Sequence, residues 1–216
     1  GCVSHSTFLS IHNMVAWMID TFGNDALSER FVGKLCSGTL IGSYCLTEPN
    51  HGSDAANLTT RAERRGESYV LNGAKVFISG AGFSDVYLVF ARSEGPGAKG
   101  ISAFVVESGT PGLSFGKSER KMGWNAQPTA MVQFTDCAIP AENRIGEAGK
   151  GFSFAMQGLN GGRVNIAAGS LGGAQEAFNR ALSYSREREQ FGQPIGSFQY
   201  TAFKLADMET ALEASR

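Results

Sequence analysis

The apolar residues of this chain repeat with two different periods, and the changes of period divide it into three stretches. From about residue 40 to residue 140, runs such as LIGSYCLT, SYVLNGAKVFIS, DVYLVFARS, ISAFVVES and AMVQFTDCAI are short and rich in β-branched and aromatic residues. Turn residues separate them at short intervals, which predicts a β-sandwich or barrel. No helix-length connection lies between the runs, which argues against a doubly wound parallel sheet. Asn72-Gly73 predicts a hairpin turn, because both residues tolerate positive φ.

Helical spacing flanks this region on both sides. Over residues 11 to 36, Met14, Ala16, Trp17 and Met18 crowd one segment, Gly23 breaks it, and Ser28 is expected to cap a second helix. From Gly151, a spacing of three to four through Val164, Ala167, Leu171, Ala174, Phe178 and Leu182 predicts one buried face. Gly161, Gly162, Gly169, Gly172 and Gly173 each cost such a helix about 1 kcal/mol against alanine. So many small residues imply the close approach of another helix or a ligand. Gly192 and Pro194 end the segment, and Ser197 is expected to open a helix striped by Phe198, Ala202, Leu205, Met208 and Leu212. Two long helices after a β region predict half of a helical bundle. The expected class is α+β: the end of a helical domain over 1–39, an antiparallel β-sandwich or barrel domain over 40–145, and the first helices of a C-terminal helical domain over 146–216. The first residues contain neither an initiating Met nor a signal pattern, and ETALEASR stops within a helical pattern, so an internal fragment is expected.

Composition narrows the function classes. A net charge of −1 and a pI near 6.4 do not give the basic footprint of a nucleic-acid binder. No apolar stretch reaches membrane-spanning length, so no membrane insertion is expected. The four cysteines are irregularly spaced, which argues against a disulfide or zinc frame. Cys45 and Cys137 fall in strand-like runs and read as buried small hydrophobes, favouring a reducing compartment. His5, His12 and His51 form no metal-ligand pattern, and no metal site is expected. Gly95, Gly97 and Gly100 satisfy G-x-G-x-x-G, but a strand, ISAFVVE, follows where a dinucleotide site needs a helix. A hairpin loop is expected there instead.

Three stretches carry chemistry. YCLTEPNHGSD, Tyr44 to Asp54, leaves a strand, turns at Pro49 and offers Gly52, Ser53 and Asp54 as backbone and hydroxyl donors. The alternative is a strand end with a polar turn. VFISGAG, Val76 to Gly82, ends a strand with Phe77 able to lie on a ring and Ser79 able to donate a hydrogen bond, or with an ordinary core aromatic. REREQFGQPIGSFQ, Arg186 to Gln199, places arginines where two helices meet, suited to a phosphate or to a solvated charged face.

Taken in order, LTEP…GSD, FIS, LNGGR and REREQFG…FQ resemble the acyl-CoA dehydrogenase family over essentially the whole chain. SYCLTEP, the FIS form and GLNGGR look most like its short branched-chain group, which belongs to branched-chain amino acid catabolism, valine degradation included. The resemblance implies FAD-dependent α,β-dehydrogenation of a short, branched acyl-CoA of isobutyryl type. Electrons would pass to electron transfer flavoprotein, from a homotetramer. It implies flavin contacts at Tyr44, Cys45, Leu46, Thr47, Glu48, Gly52 and Ser53, and at Phe77, Ile78 and Ser79, with Ser79 near the reactive ring nitrogen. Arg188, Phe198 and Gln199 would reach the FAD of a neighbouring subunit. Ser53, Asn160, Gly161, Gly162 and Arg163 would contact the acyl-CoA. The family's base is a glutamate on later helices, and none of Glu176, Glu187, Glu189, Glu209 or Glu213 matches its motif, so no catalytic residue is assigned in this chain. His51 and Asn57 stand where the family has smaller residues. The location implied is cytoplasmic for a bacterial source and the mitochondrial matrix for a eukaryotic one. A flavin oxidase on the same scaffold, or a non-enzymatic β-sandwich binding module, are the rival expectations.

Overall fold

The computed structural model describes residues 2–216. A long helix α1 (Val3–Phe22) is followed by a short α2 (Asp25–Leu27), a π-helical turn (Ser28–Val32) and α3 (Gly33–Cys36). The strands come next: β1 (Gly42–Cys45), β2 (Arg61–Arg65), β3 (Ser68–Ser79), β4 (Val86–Arg92), β5 (Ile101–Glu107), β6 (Leu113–Phe115), β7 (Thr129–Pro140) and β8 (Arg144–Ile145). Helix α4 (Gly151–Glu187) and helix α5 (Gln199–Ser215) close the chain, with the two-residue strands β9 (Glu189–Gln190) and β10 (Gln193–Pro194) between them.

One sheet runs in the order β6-β7-β3-β2-β4-β5-β8, with β1 paired to β4 off that path. Strands β4 and β5 are buried on both faces, which explains their unbroken apolar runs. Val86, Leu88, Phe90, Ile101 and Val105 pack on Val15, Met18 and Ile19 of α1 and on Phe31 and Leu35. The alternate residues Tyr87, Val89, Phe104 and Val106 pack on Leu71 and Ile78 of β3 and on Val132, Phe134 and Ile139 of β7. The sheet therefore folds over itself into two layers, with the helices against the outside of β4 and β5. It does not close into a barrel.

Several expectations are corrected. The sheet is mixed: β1 runs parallel to β4, from Gly42 opposite Val86 to Cys45 opposite Val89. No tight turn joins these two strands, so nothing obliges them to be antiparallel. Asn72-Gly73 is no hairpin turn. Strand β3 runs straight through it, and the hairpin is made at Gly66 and Glu67, where Arg65 faces Ser68. Asn72-Gly73 instead faces a bulge in β7, where Thr135 and Asp136 together oppose Asn72, with Gly73 at φ +144, Asp136 at φ +47 and the Asn72 side chain bound to Asp136. Asn24, and not Ser28, caps the second helix, its Oδ1 accepting from Leu27 N at 2.9 Å. Ser28 Oγ instead turns back to the Ile19 carbonyl at 3.4 Å. Ser197 ends a short 3-10 turn, and Phe198 occupies the cap position of α5.

The helical stripe of α4 is only partly buried. Phe178 packs to 9% exposure, whereas Val164 keeps 68% and Ala167 and Ala174 are exposed. On α5, Leu212 is buried and Met208 exposed. Periodicity marks the face that can be buried, and among the described residues α1, α5 and the edge at β4 and β5 cover only part of it. The glycine-rich part of α4 does admit another helix: a Cβ at Gly158 would lie 2.9 Å from Met18 Sδ, and one at Gly173 would lie 2.8 Å from Val3 Cγ2.

Cys45 and Cys137 are buried and free, as expected. His12 is a satisfied core residue, with Nε2 at 2.9 Å from the Leu35 carbonyl and Nδ1 accepting from Gly42 N at 3.1 Å. The glycines at 95 to 100 form the loop between β4 and β5, held by the Arg92 guanidinium on the Gly95 and Gly97 carbonyls.

The Gly73 position facing the bulge in β7 provides a test. A Cβ there would lie 2.6 Å from Thr60 Oγ1 and 2.7 Å from Thr60 Cα, on a backbone that side chains resist. Gly73→Ala should destabilise the full-length protein by about 2–4 kcal/mol, read as a lowered urea midpoint at unchanged m. A change below about 0.5 kcal/mol would show that the bulge relaxes freely.

Candidate active site

A cleft of about 960 Å³ opens where the sheet meets α1 and α4. Its sheet wall comes from the end of β1 and the loop after it, through Tyr44, Leu46, Thr47, Gly52 and Ser53, and from the end of β3, through Phe77, Ile78 and Ser79. Trp124 and Gln127 come from the loop before β7. Met14 of α1 and Met156, Leu159, Gly162 and Arg163 of α4 face them across the gap. Two sequence stretches some thirty residues apart are thus brought to one wall because β1 pairs with β4, and the loop after β1 bonds to β3 through Val76 N and the Thr47 carbonyl at 2.9 Å.

Phe77 owes its position to a second bulge. Lys75 pairs with Val132 and Ile78 with Ala130, so Val76 and Phe77 together oppose Met131. The extra residue takes φ +58, unusual for an aromatic side chain, and the Phe77 ring is 67% exposed between buried neighbours. A bulge of this kind turns one side chain off the pleat and beside a site is a built feature. The chain spends backbone strain to show a ring face to the cleft.

Behind that wall lies a buried ion pair. Lys75 Nζ, fully buried, donates to Glu48 Oε1 at 2.8 Å and to the Leu46 carbonyl at 3.1 Å. The Glu48 carboxylate also accepts from Thr59 N at 2.6 Å, Thr59 Oγ1 at 2.7 Å and Thr60 N at 2.8 Å. Burial would raise the Glu48 carboxyl, but the Lys75 charge and these donors outweigh it and hold the pKa down to about 2. The Lys75 ammonium is pushed down by burial and held against that by Glu48. Glu48 and His51 exchange backbone hydrogen bonds at 3.1 and 3.2 Å, closing a turn over Pro49 and Asn50 that leads into Gly52 and Ser53.

At the end of β3, Ser79 is fixed from two sides. The Ser43 hydroxyl donates to the Ser79 carbonyl at 2.5 Å and lies 2.8 Å from the Ser84 hydroxyl. Gln127 Nε2 donates to Ser79 Oγ. Gln127 is itself anchored, its carbonyl accepting from Lys121 Nζ, which also reaches Thr129 Oγ1 at 2.8 Å. Gln127 Oε1 is buried without a hydrogen-bond partner among the described residues. A flat ligand with both polar and apolar edges fits this wall. Phe77 offers a ring face, Thr47, Ser53 and Ser79 offer hydroxyls, and no protein atom lies within 4 Å of where a Cβ at Gly52 would be.

The expected site residues divide into four sets. Tyr44, Leu46, Thr47, Gly52, Ser53, Phe77, Ile78, Ser79, Gly162 and Arg163 line the cleft together. Cys45 and Glu48 do not face it, being buried in the core and in the ion pair. Gly161 lines an adjoining groove with Asn13 and Trp17, and Asn160 is exposed, its Oδ1 accepting from Arg163 at 2.6 Å. Arg188, Phe198 and Gln199 lie at the other end of α4, about 37 Å from Arg163 at the helical rise, and cannot touch a ligand in the same cleft. Trp124, Gln127 and Glu119 also line the cleft and were missed, since a polar loop carries no periodic signal. Glu119 is exposed beside Arg120 and Lys121, so it is no desolvated base, and none of Glu176, Glu187, Glu189, Glu209 or Glu213 lines the cleft.

Residues 43–137 match the model of the acyl-CoA dehydrogenase middle domain, and residues 149–216 match that of the acyl-CoA dehydrogenase C-terminal domain. The chain belongs to the acyl-CoA dehydrogenase family. It is 54% identical over 216 residues to the mitochondrial isobutyryl-CoA dehydrogenase of Bos taurus, covering 100% of this chain and 52% of that protein. To the short-chain specific acyl-CoA dehydrogenase of Megasphaera elsdenii it is 47% identical over 197 residues, covering 90% and 51%. The chain therefore spans about half the length of the curated relatives it matches. Among solved structures, butyryl-CoA dehydrogenase from Megasphaera elsdenii superposes with a TM-score of 0.91 at 45% identity, over 97% of this chain and 54% of that one. A chain solved in work on the electron transferring flavoprotein of Acidaminococcus fermentans gives 0.93 at 44%, over 96% and 55%. A glutaryl-CoA dehydrogenase from Mycobacterium smegmatis in complex with FADH2 gives 0.89 at 31%, over 96% and 53%.

In this acyl-CoA dehydrogenase chain the ion pair under the cleft should dominate acid stability. The Glu48 pKa is depressed in the fold from an ordinary 4.5 to about 2, so its stabilisation is complete above pH 4.5 and is lost as the pH falls towards 2. That difference corresponds to roughly 3 kcal/mol. Glu48→Gln should flatten this part of the acid unfolding profile and cost about 3–5 kcal/mol at neutral pH, because Lys75 stays buried and unpaired. Adding Lys75→Met should recover most of the loss. A double variant no more stable than Glu48→Gln would show that the charge of Lys75 is not what is left uncompensated.

Proposed function

We propose that this chain is part of an FAD-dependent dehydrogenase that converts a short, branched acyl-CoA of isobutyryl type to its enoyl-CoA, with electron transfer flavoprotein as acceptor. The observation that carries it is the two-walled cleft, polar and ring-bearing on the sheet side, with Met156, Leu159, Gly162 and Arg163 on the helix side. FAD bound there supplies a two-electron acceptor, chemistry that no side chain can provide.

The chain's own residues bind and orient. Phe77 would cover one face of the ring system, and Thr47, Ser53 and Ser79 would hold its edge by hydrogen bonds. Tyr44, Leu46 and Ile78 flank it and keep water out. Ser53 from the sheet wall and Arg163 from α4, with Asn160, Gly161 and Gly162 nearby, would hold the acyl-CoA between the two walls. The α-proton must go to a desolvated carboxylate. With none on the described walls, that glutamate belongs to the part of the family's length that this chain does not span. Cys45 and Glu48 act from behind the wall.

Two similarities support the substrate and acceptor: the isobutyryl-CoA dehydrogenase relative at 54% identity against 47% for the short-chain one, and the structure from work on an electron transferring flavoprotein. The location proposed is the mitochondrial matrix for a eukaryotic source, as the Bos taurus relative's name indicates for that protein, and the cytoplasm for a bacterial one. Steady-state rates of the full-length enzyme across isobutyryl-, 2-methylbutyryl-, butyryl- and octanoyl-CoA should rank the branched four-carbon thioester first. A preference for eight carbons or more would overturn the assignment. Recovery of the bleached flavin in air without an acceptor protein would point to an oxidase.

The assembly proposed is a homotetramer in which Arg188, Phe198 and Gln199 reach the FAD of a neighbouring subunit. It is supported by their distance from the cleft of their own chain and by the exposure of Phe191 at 95% and Tyr200 at 82% beside them. Arg188→Ala should weaken FAD retention by roughly tenfold, the worth of one charge-assisted hydrogen bond, while thermal unfolding of the apoprotein is unchanged. A monomer retaining stoichiometric FAD would contradict it.

A further inference from the structure

Among the described residues, the cleft lining holds one buried side-chain polar atom that the fold leaves without a partner. Gln127 is 4% exposed, lines the cleft and donates through Nε2 to Ser79 Oγ, while its Oε1 is buried and unpaired among the described residues. Leaving such an atom unmade costs free energy, and a buried carboxamide with one idle end is uncommon enough to ask what uses it. Lys121 holds the Gln127 backbone and Ser43 holds the Ser79 carbonyl, so neither residue can drift from the other. The movable parts are the hydroxyl rotor of Ser79 and the terminal carboxamide of Gln127.

A hydroxyl offers one donor and can also accept, whereas a carboxamide presents a donor and an acceptor at equal reach. While Ser79 Oγ accepts from Gln127 Nε2, its own proton is free for an acceptor in the cleft. After a half-turn of the carboxamide, Oε1 accepts that proton and Ser79 Oγ faces the cleft as an acceptor. Each arrangement leaves one carboxamide atom unpaired, so the two lie close in energy, and a small difference in what faces Ser79 selects between them. The ring nitrogen of a flavin is such a partner: it accepts a hydrogen bond when oxidised and carries hydrogen when reduced.

We propose that Gln127 is a positioning residue that reverses the direction of the Ser79 hydroxyl with the redox state of the bound flavin. It donates to Ser79 before reduction and accepts from it afterwards. This rests on the reading that the cleft holds FAD with Ser79 against its reactive nitrogen. No bond to Gln127 forms or breaks. The two electrons and the hydrogen that reach the ring come from the acyl substrate, or from an electrode and solvent water when substrate is absent.

The test is the oxidised-minus-reduced infrared spectrum of the full-length, FAD-loaded enzyme, reduced electrochemically without substrate, with visible absorbance recording flavin occupancy. A glutamine carbonyl band should shift on reduction in the wild type and vanish from the difference spectrum of Gln127→Met, which keeps the side-chain volume. It should vanish equally in Ser79→Ala, which leaves Gln127 in place and removes its partner. A wild-type enzyme that binds FAD but gives the same difference spectrum as Gln127→Met overturns this inference and leaves the proposed function standing. If Gln127→Met does not fold, the comparison with Ser79→Ala decides, and a band that persists there overturns the inference. A full-length wild type that binds no FAD overturns both.

Discussion

The Glu48–Lys75 pair is the contact on which the cleft depends. Both charges are out of water, and the carboxylate is met by an ammonium and three further donors from Thr59 and Thr60. Such a pair adds little net stability over an apolar substitute, and its worth lies in what it fixes. Here it joins the loop after β1, the start of β2 and the middle of β3 at one point. Lys75 also binds the Leu46 carbonyl, and Val76 N binds the Thr47 carbonyl one residue further along each segment. Thr47 and Phe77 are therefore held in register across a wall that no regular ladder joins.

The same point explains where strain is stored. A bulge follows Lys75 immediately, and Phe77 is driven into a left-handed conformation that side chains avoid. A bulge on an unanchored edge would slip its register and return the ring to the pleat. Anchored at Lys75 on one side and by Ile78 in the core on the other, it has nowhere to relax. The exposed ring is a consequence of that double constraint.

Much of this was legible in the sequence, and the limits were physical. Strand runs and helices declare themselves by period, and β4, β5 and β7 stand where the apolar runs lie. Asn72-Gly73 showed a need for positive φ but not whether a turn or a bulge would use it, because both take the same residues. The stripe on α4 named a face able to be buried, and burial depends on a partner that periodicity does not count. Within the cleft, LTEP and FIS led to Thr47, Phe77 and Ser79. Yet Glu48, which sits in the same run, turns inward, held by Lys75 and by Thr59 and Thr60, which are distant in sequence. Gln127 and Trp124 were invisible, each in a loop whose geometry is set by contacts distant in sequence.

The two walls of the cleft differ in kind, and that difference bears on selectivity. The sheet wall is tied by buried polar contacts and cannot yield without exposing a charge. The helix wall rests on α4, whose Gly158 lies against Met14 and Met18 and whose Tyr44 tether is one hydrogen bond of 3.3 Å to the Ala155 carbonyl. Methionine contacts adapt to shape more readily than branched side chains do. A ligand that bridges the walls is therefore held in place by the sheet and accommodated by the helix. Cofactor geometry should then tolerate little change in sequence on the sheet side. On the proposed function, the length and branching of the acyl chain would be set by Met14, Met156 and Leu159, which line the helix side of the cleft and can be exchanged without touching the ion pair. The proposed function thus divides cofactor geometry and choice of substrate between separate elements, joined by a cleft that neither could form alone.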